Sequence, residues 1–131
     1  MHRNIKVCSF TPQEIYHYIY QEAENGSYVS YLRGKRCKTE DIFLCEVSAS
    51  FQFPSYYGEN WAAFDECIHD LEWIGLSKIK RFFIVFDDFN QAFREDGDIQ
   101  QKLQMRVIEY FSRAMIDWEQ KNISCELWLN N

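Results

Sequence analysis

Glycine is scarce in this chain, with five in 131 residues. Loops that cradle phosphate are hard to build from so few. The sequence contains no G-x-G-x-x-G, no G-x-x-x-x-G-K-[ST] and no G-x-S-x-G, so nucleotide cradles and nucleophile elbows have nothing to form from. Basic residues are in the minority, 14 Lys and Arg against 20 Asp and Glu, for a net charge of −6. A nucleic-acid binder needs cations to displace counterions from phosphate, so nucleic acid is excluded as a partner. Apolar runs stop at five residues (Phe82 to Phe86). Spanning a bilayer takes roughly 18, so no membrane partner is expected. Arg3, Lys6 and Glu14 interrupt any secretory h-region, which leads to a cytoplasmic reading.

Metal and redox signatures are missing as well. The five cysteines, Cys8, Cys37, Cys45, Cys67 and Cys125, are odd in number and form no C-x-x-C, so they read as reduced, mostly buried thiols. His2, His17 and His69 make no His-x-x-x-His pair for zinc. Glu95-Asp96-Gly97-Asp98 lacks the ligand spacing of an EF-hand. Neither metal nor cofactor is expected. No nucleophile–base pair is in evidence and Asp65 and Glu66 are adjacent and splay apart, so the chain does not read as an enzyme.

What the sequence does have is a core and a charge asymmetry. Hydrophobic residues reach 47% and aromatics 18%, enough for one packed domain. The aromatics lack basic interleaving and read as core rather than as base-stacking platforms. Residues 1–38 carry six basic and three acidic side chains, net +3; residues 39–131 carry eight and seventeen, net −9. Between Tyr56 and Leu76 stand Glu59, Asp65, Glu66, Asp70 and Glu72 with no Lys or Arg. Acid concentrated on one element is a docking surface for a cationic partner.

Periodicity divides the chain into alternating elements. Asn4 to Phe10 alternates as a short strand. Thr11-Pro12-Gln13-Glu14 is a helix start with cap, Pro at the first position and a capping box; Phe10 and Ile15 are placed as a hydrophobic staple, and Asn25-Gly26 ends the helix. Tyr28 to Arg33 reads as a strand turning at Gly34. Thr39 caps a helix whose stripe is Phe43, Leu44, Val47 and Phe51. Asn60 caps a third helix, with Trp61, Phe64, Ile68 and Leu71 facing the core and Ala62, Asp65, Glu66 and His69 sharing another face. A contact between His69 and a carboxylate there is expected to be a surface salt bridge. Phe82 to Phe86 is a central buried strand, residues 87–97 a polar loop, and Asp98 the cap of a long helix to Lys121 with Ile99, Leu103, Val107, Phe111, Ala114 and Trp118 on one face. Ile123 to Leu129 is the last strand. Strands separated by helices imply an α/β fold with a mainly parallel sheet of three strands, or four if the N-terminal one joins.

Pro54-Ser55-Tyr56-Tyr57-Gly58-Glu59-Asn60-Trp61-Ala62-Ala63-Phe64, continuing to Leu71, resembles the central motif of the barstar family of intracellular ribonuclease inhibitors. The resemblance covers about residues 28–131 and implies a barstar-like three-layer fold, with residues 1–27 as an extension packed on that domain. It implies inhibition by occlusion: an acidic helix and the loop before it plug the active site of a basic ribonuclease toxin, their carboxylates standing where substrate phosphates would bind. The partner-binding set it implies is Tyr56, Tyr57, Gly58, Glu59, Asn60, Ala62, Asp65, Glu66, His69 and Asp70. Tyr56 falls at the family's stacking tyrosine and Glu66 at its dominant aspartate. Ala62 stands at an interface aspartate, Asp65 at an interface tryptophan, and Arg113 at a glutamate of the long helix. The free protein is expected to be a monomer. A barstar-fold immunity module for a non-ribonuclease partner is the other class these residues allow.

Overall fold

The structure, a computed structural model, describes residues 1–55 and 58–131. In chain order it contains β1 (Ile5–Cys8), α1 (Pro12–Glu24), β2 (Tyr28–Arg33), α2 (Glu40–Ser50), α3 (Trp61–Asp70), β3 (Arg81–Asp87), α4 (Gln100–Gln120) and β4 (Ser124–Asn130). The four strands form one sheet in the order β1-β4-β3-β2, and every neighbouring pair is parallel. The N-terminal strand therefore joins at the β4 edge, Ile5 opposite Leu127 and Cys8 opposite Asn130.

β3 lies between two strands, and helices cover both of its faces, which is why its sequence is an unbroken apolar run rather than an alternation. Phe82, Ile84 and Phe86 point into the main core with Leu32, Cys125, Leu127 and Leu129. That core is closed by Phe43, Leu44 and Val47 of α2, Phe64 and Ile68 of α3, and Leu103, Val107, Phe111, Met115 and Trp118 of α4. Phe83 and Val85 face the other way, under Ile15 of α1, with Phe10, Tyr18, Ile19, Val29, Tyr31 and Trp128 around them. The molecule is thus three layers: α1, the sheet, and the α2–α3–α4 layer.

The helix starts are where cap chemistry puts them. Thr11 accepts from the Glu14 amide at 3.2 Å and Glu14 Oε1 accepts from the Thr11 amide at 3.1 Å, a complete capping box. Thr39 Oγ1 accepts from the Ile42 amide at 3.4 Å. The turn after β2 needs glycine: a Cβ at Gly34 would lie 2.1 Å from the carbonyl oxygen of Asp88 and 2.5 Å from that of Asp87.

Two expectations about residues 87–99 are corrected. The segment is no plain polar loop but a pair of 3₁₀ turns, Phe89–Gln91 and Arg94–Ile99. Phe89, Ala92 and Phe93 are buried, and the Phe93 amide donates to the Cys37 carbonyl at 2.7 Å, so aromatic anchors fold a stretch that is polar by count. Asp98 does not cap the long helix: α4 begins at Gln100 after Ile99, with no side-chain cap, because Gly97 (φ 61°, ψ −125°) breaks the chain just before it. Ile99 is correspondingly exposed rather than part of the buried stripe. Leu71 also falls outside its helix, taking a left-handed conformation (φ 48°) that ends α3 while its side chain stays fully buried. Burial outweighs the roughly 1–2 kcal/mol that a non-glycine residue gives up there.

Among the described residues, no helix is long and apolar enough to cross a membrane.

Candidate functional site: the acidic face of helix α3

α3 is set by its cap and its buried stripe. Asn60 Oδ1 accepts from the Ala63 amide at 2.8 Å, which fixes the first turn. Phe64, Cys67 and Ile68 then face the core, and Leu71 closes the helix with its amide on the Cys67 carbonyl at 3.2 Å. What remains outside is Ala62, Asp65, Glu66, His69 and Asp70. Ala62 and Glu66 are exposed; Asp65, His69 and Asp70 are half-buried. Gly58, Glu59 and Asn60 are exposed just ahead of the helix. A Cβ at Gly58 would come within 2.9 Å of Asn60 Nδ2, so glycine there leaves room for the capping side chain. Tyr56 and Tyr57 lie outside the described residues.

The five acids of this stretch do not behave alike. Asp65 faces basic side chains: its Oδ1 is 3.7 Å from His69 Nε2 and 3.8 Å from Arg113 Nη2. Both separations are too long for hydrogen bonds. His69 also approaches Asp117 Oδ2 with Nδ1 at 3.3 Å, as a bridge between α3 and α4. Partial burial pushes the Asp117 carboxyl up, but the hydrogen bonds from Lys121 (3.1 Å) and His69 outweigh it and leave the carboxyl below its ordinary range. Among the described residues, Glu59, Glu66, Asp70 and Glu72 join no ion pair. The acids of the face that join no ion pair are therefore those four, whereas Asp65 stands within 4 Å of Arg113 of α4.

α4 borders the site with Arg113, which the resemblance had set at a glutamate of the long helix, and with Arg106 and Tyr110, which the sequence did not single out. Tyr110 packs edge-on against Trp61 (5.3 Å) and Phe64 (5.8 Å). The Arg106 guanidinium lies 5.3 Å from the Trp61 ring centre, and that of Arg113 lies 4.5 Å from the Tyr110 ring centre. The signal was present as Arg106, Tyr110 and Arg113 at i, i+4 and i+7, one face of a helix. The acidic face of α3 is thus bordered by two arginines seated on aromatic rings.

Past the C-terminal end of α3, a cleft of about 720 Å³ is lined by acids and bases together, among them Asp70, Glu72, Lys80 and Lys121, and so favours neither sign of ligand. Among the described residues, no three His, Cys, Asp or Glu side chains converge to hold a metal ion. The arrangement offers a rigid helix with carboxylates standing off a packed core, suited to entering a cationic recess.

No curated protein matches the chain. The sequence model of the Barstar family, described as barnase inhibitor, matches residues 28–130, from the first residue of β2 to the last of β4. The chain belongs to the Barstar family.

Proposed function

We propose that this protein is a one-to-one inhibitor of a cationic ribonuclease or related nuclease toxin, blocking its active site with α3 and the loop before it. The observation that carries the reading is Glu66: exposed, in no ion pair among the described residues, and held on a helix whose opposite side is fixed in the core by Phe64, Cys67 and Ile68. A ribonuclease cleft must be cationic to hold RNA phosphates, and carboxylates on a rigid helix imitate that charge at no cost in refolding. The partner-contacting set is Tyr56 through Asn60, Ala62, Asp65, Glu66, His69 and Asp70. The protein acts in the cytoplasm, is a monomer when free and carries out no catalysis.

In the same reading, residues 28–131 are the inhibitory domain and residues 1–27 an addition to it. Lys6 Nζ donates to Glu126 at 2.6 Å, and Asn130 exchanges hydrogen bonds with both backbone groups of Phe10, which supports an addition built into the sheet rather than a tether.

Capture from host lysate on immobilised protein at low and at high salt, followed by assay of the captured protein for RNA cleavage, tests the proposal. A basic nuclease retained at low salt, released at high salt and silenced by the inhibitor is the expected result. Glu66→Lys should abolish capture and leave the melting temperature nearly unchanged; capture at wild-type level by that variant would remove α3 from the interface. A second reading, an immunity module for a toxin that is not a ribonuclease, is favoured by Ala62, which leaves a non-charged, exposed position in the first turn of α3. It is distinguished by a captured partner without RNA-cleaving activity.

A further inference from the structure

We infer that Arg106 and Arg113 are specificity determinants that require a carboxylate on the partner, so that the partner's contact surface is bipolar: a cationic recess for Glu66 with an acidic group at its α4 border. This rests on the reading proposed above and narrows the partner it allows.

The geometry behind it is the way the two guanidinium groups are held. Each lies over an aromatic ring, Arg106 over Trp61 and Arg113 over Tyr110, and those rings are themselves packed against Phe64. Stacking fixes the plane of a guanidinium and leaves its N–H edge available. The nearest acids to Arg113 do not saturate that edge: Glu109 Oε1 is 3.6 Å from Nη1 and Asp65 Oδ1 is 3.8 Å from Nη2. The Arg113 side chain is 48% exposed. Among the described residues, Arg106 enters no ion pair. Two ring-seated, partly exposed guanidinium groups with hydrogen-bonding capacity to spare, beside an acidic helix, match a planar carboxylate on an approaching surface. They also repel a recess that is cationic throughout, because like charges brought together at an interface oppose binding. The same pair therefore recruits one class of partner and rejects another.

Barnase serves as the probe, being a ribonuclease with a substrate cleft built for phosphates. Calorimetry or surface plasmon resonance would compare wild type with Arg113→Gln, the double variant Arg106→Glu/Arg113→Glu, that double variant also carrying Glu66→Lys, and Lys6→Gln as a matched loss of one charge on the opposite face of the sheet. Affinity for barnase should rise in the order wild type, Arg113→Gln, double variant: about tenfold for the first step and at least about a hundredfold overall, while Lys6→Gln moves it less than about threefold. A variant that had merely lost its fold would not gain affinity. If the double variant binds no more tightly than wild type, or if Lys6→Gln gains as much as Arg113→Gln, the arginines do not face the partner and the inference is wrong. If the double variant gains affinity but keeps it when Glu66→Lys is added, the arginine filter stands and the placement of Glu66 in the interface fails instead.

Discussion

Arg81 of β3 grips Glu22 of α1 with two parallel hydrogen bonds, Nε to Oε1 at 2.9 Å and Nη2 to Oε2 at 3.1 Å. The same guanidinium reaches Glu126 of β4, which in turn accepts from Lys6 of β1. One charged network therefore ties three strands to the helix above them. Both Arg81 and Glu22 keep less than a third of their side chains exposed, so solvent screens the pair only in part. The hydrogen bonds from Arg81 hold Glu22 below its ordinary 4.5, against the upward push of burial. At Glu126 burial is the largest influence, but the hydrogen bonds from Lys6 and Arg81 overcome it and the carboxyl is again lowered. In both cases the unfolded chain takes up protons first as pH falls. The stability these carboxylates add is therefore fully present above about pH 4.5 and drains away below it. Glu22→Gln should cost about 1–2 kcal/mol at neutral pH, or roughly 3–8 °C in Tm, and should flatten the acid limb of a Tm-against-pH curve. An unchanged acid limb would show that the network does not operate in solution.

Deleting residues 1–27 should leave a poorly soluble protein, although the family match begins only at residue 28. Removing β1 turns β4 into an open edge, and removing α1 uncovers Phe83, Val85, Val29 and Trp128 on one sheet face. An open edge beside an apolar face is a template for aggregation. Light scattering of the shortened chain should report large particles, and its urea midpoint, where measurable, should fall well below that of the full chain. A monomeric shortened chain melting within a few degrees of wild type would mean that the N-terminal layer is not structural.

Much of the fold was legible because its signals are local. Thr11, Thr39 and Asn60 cap helices by reaching three residues along the chain, and each was identifiable from sequence. The run Phe82 to Phe86 announced a strand covered on both faces. Signals that depend on distant partners stayed hidden. Residues 89–93 look like polar loop until Phe89 and Phe93 find the core and Phe93 finds the Cys37 carbonyl, which lies in the turn after β2. Gly97 gave no warning that it would displace the start of α4 past Asp98. At the site, the acidic spacing of α3 was readable from helical periodicity alone. That Asp65 stands beside Arg113 was not, because Arg113 is 48 positions away and only the packing of α4 against α3 brings it there.

Cysteine reactivity should divide the five thiols into three groups. Cys37, Cys67 and Cys125 are fully buried, and burial pushes their thiols up to about 12, 11 and 11. Cys8 is half-buried and also raised, by burial first and by the nearby Asp87 second. Cys45 alone is exposed, on the outer side of α2. The thiolate is the reactive species, so exposure and ionisation work together. With an aromatic disulfide reagent at pH 8, one thiol should react quickly, one slowly and three only on unfolding, and Cys45→Ser should remove the fast phase. Rapid reaction of two or more thiols in the folded Cys45→Ser variant would contradict the packing of the core.

Asn60 links stability to the proposed interface, because the hydrogen bond that starts α3 also sets where the preceding loop leaves the helix. Asn60→Ala removes the acceptor for the Ala63 amide, at a cost of about 1 kcal/mol. Asn60→Asp keeps an acceptor in the same place and adds a negative charge at the helix N-terminus, where the dipole favours it, so stability should be retained or slightly raised. The two variants should part again in binding. If α3 and its loop enter a cationic recess, Asn60→Ala should weaken the complex by more than its small effect on folding accounts for, since a frayed first turn misplaces Glu59 and Ala62. Asn60→Asp should bind at or above wild-type strength with a steeper salt dependence. Chemical denaturation alongside binding to the captured partner separates the two effects. Equal binding by all three proteins would show that the start of α3 lies outside the contact.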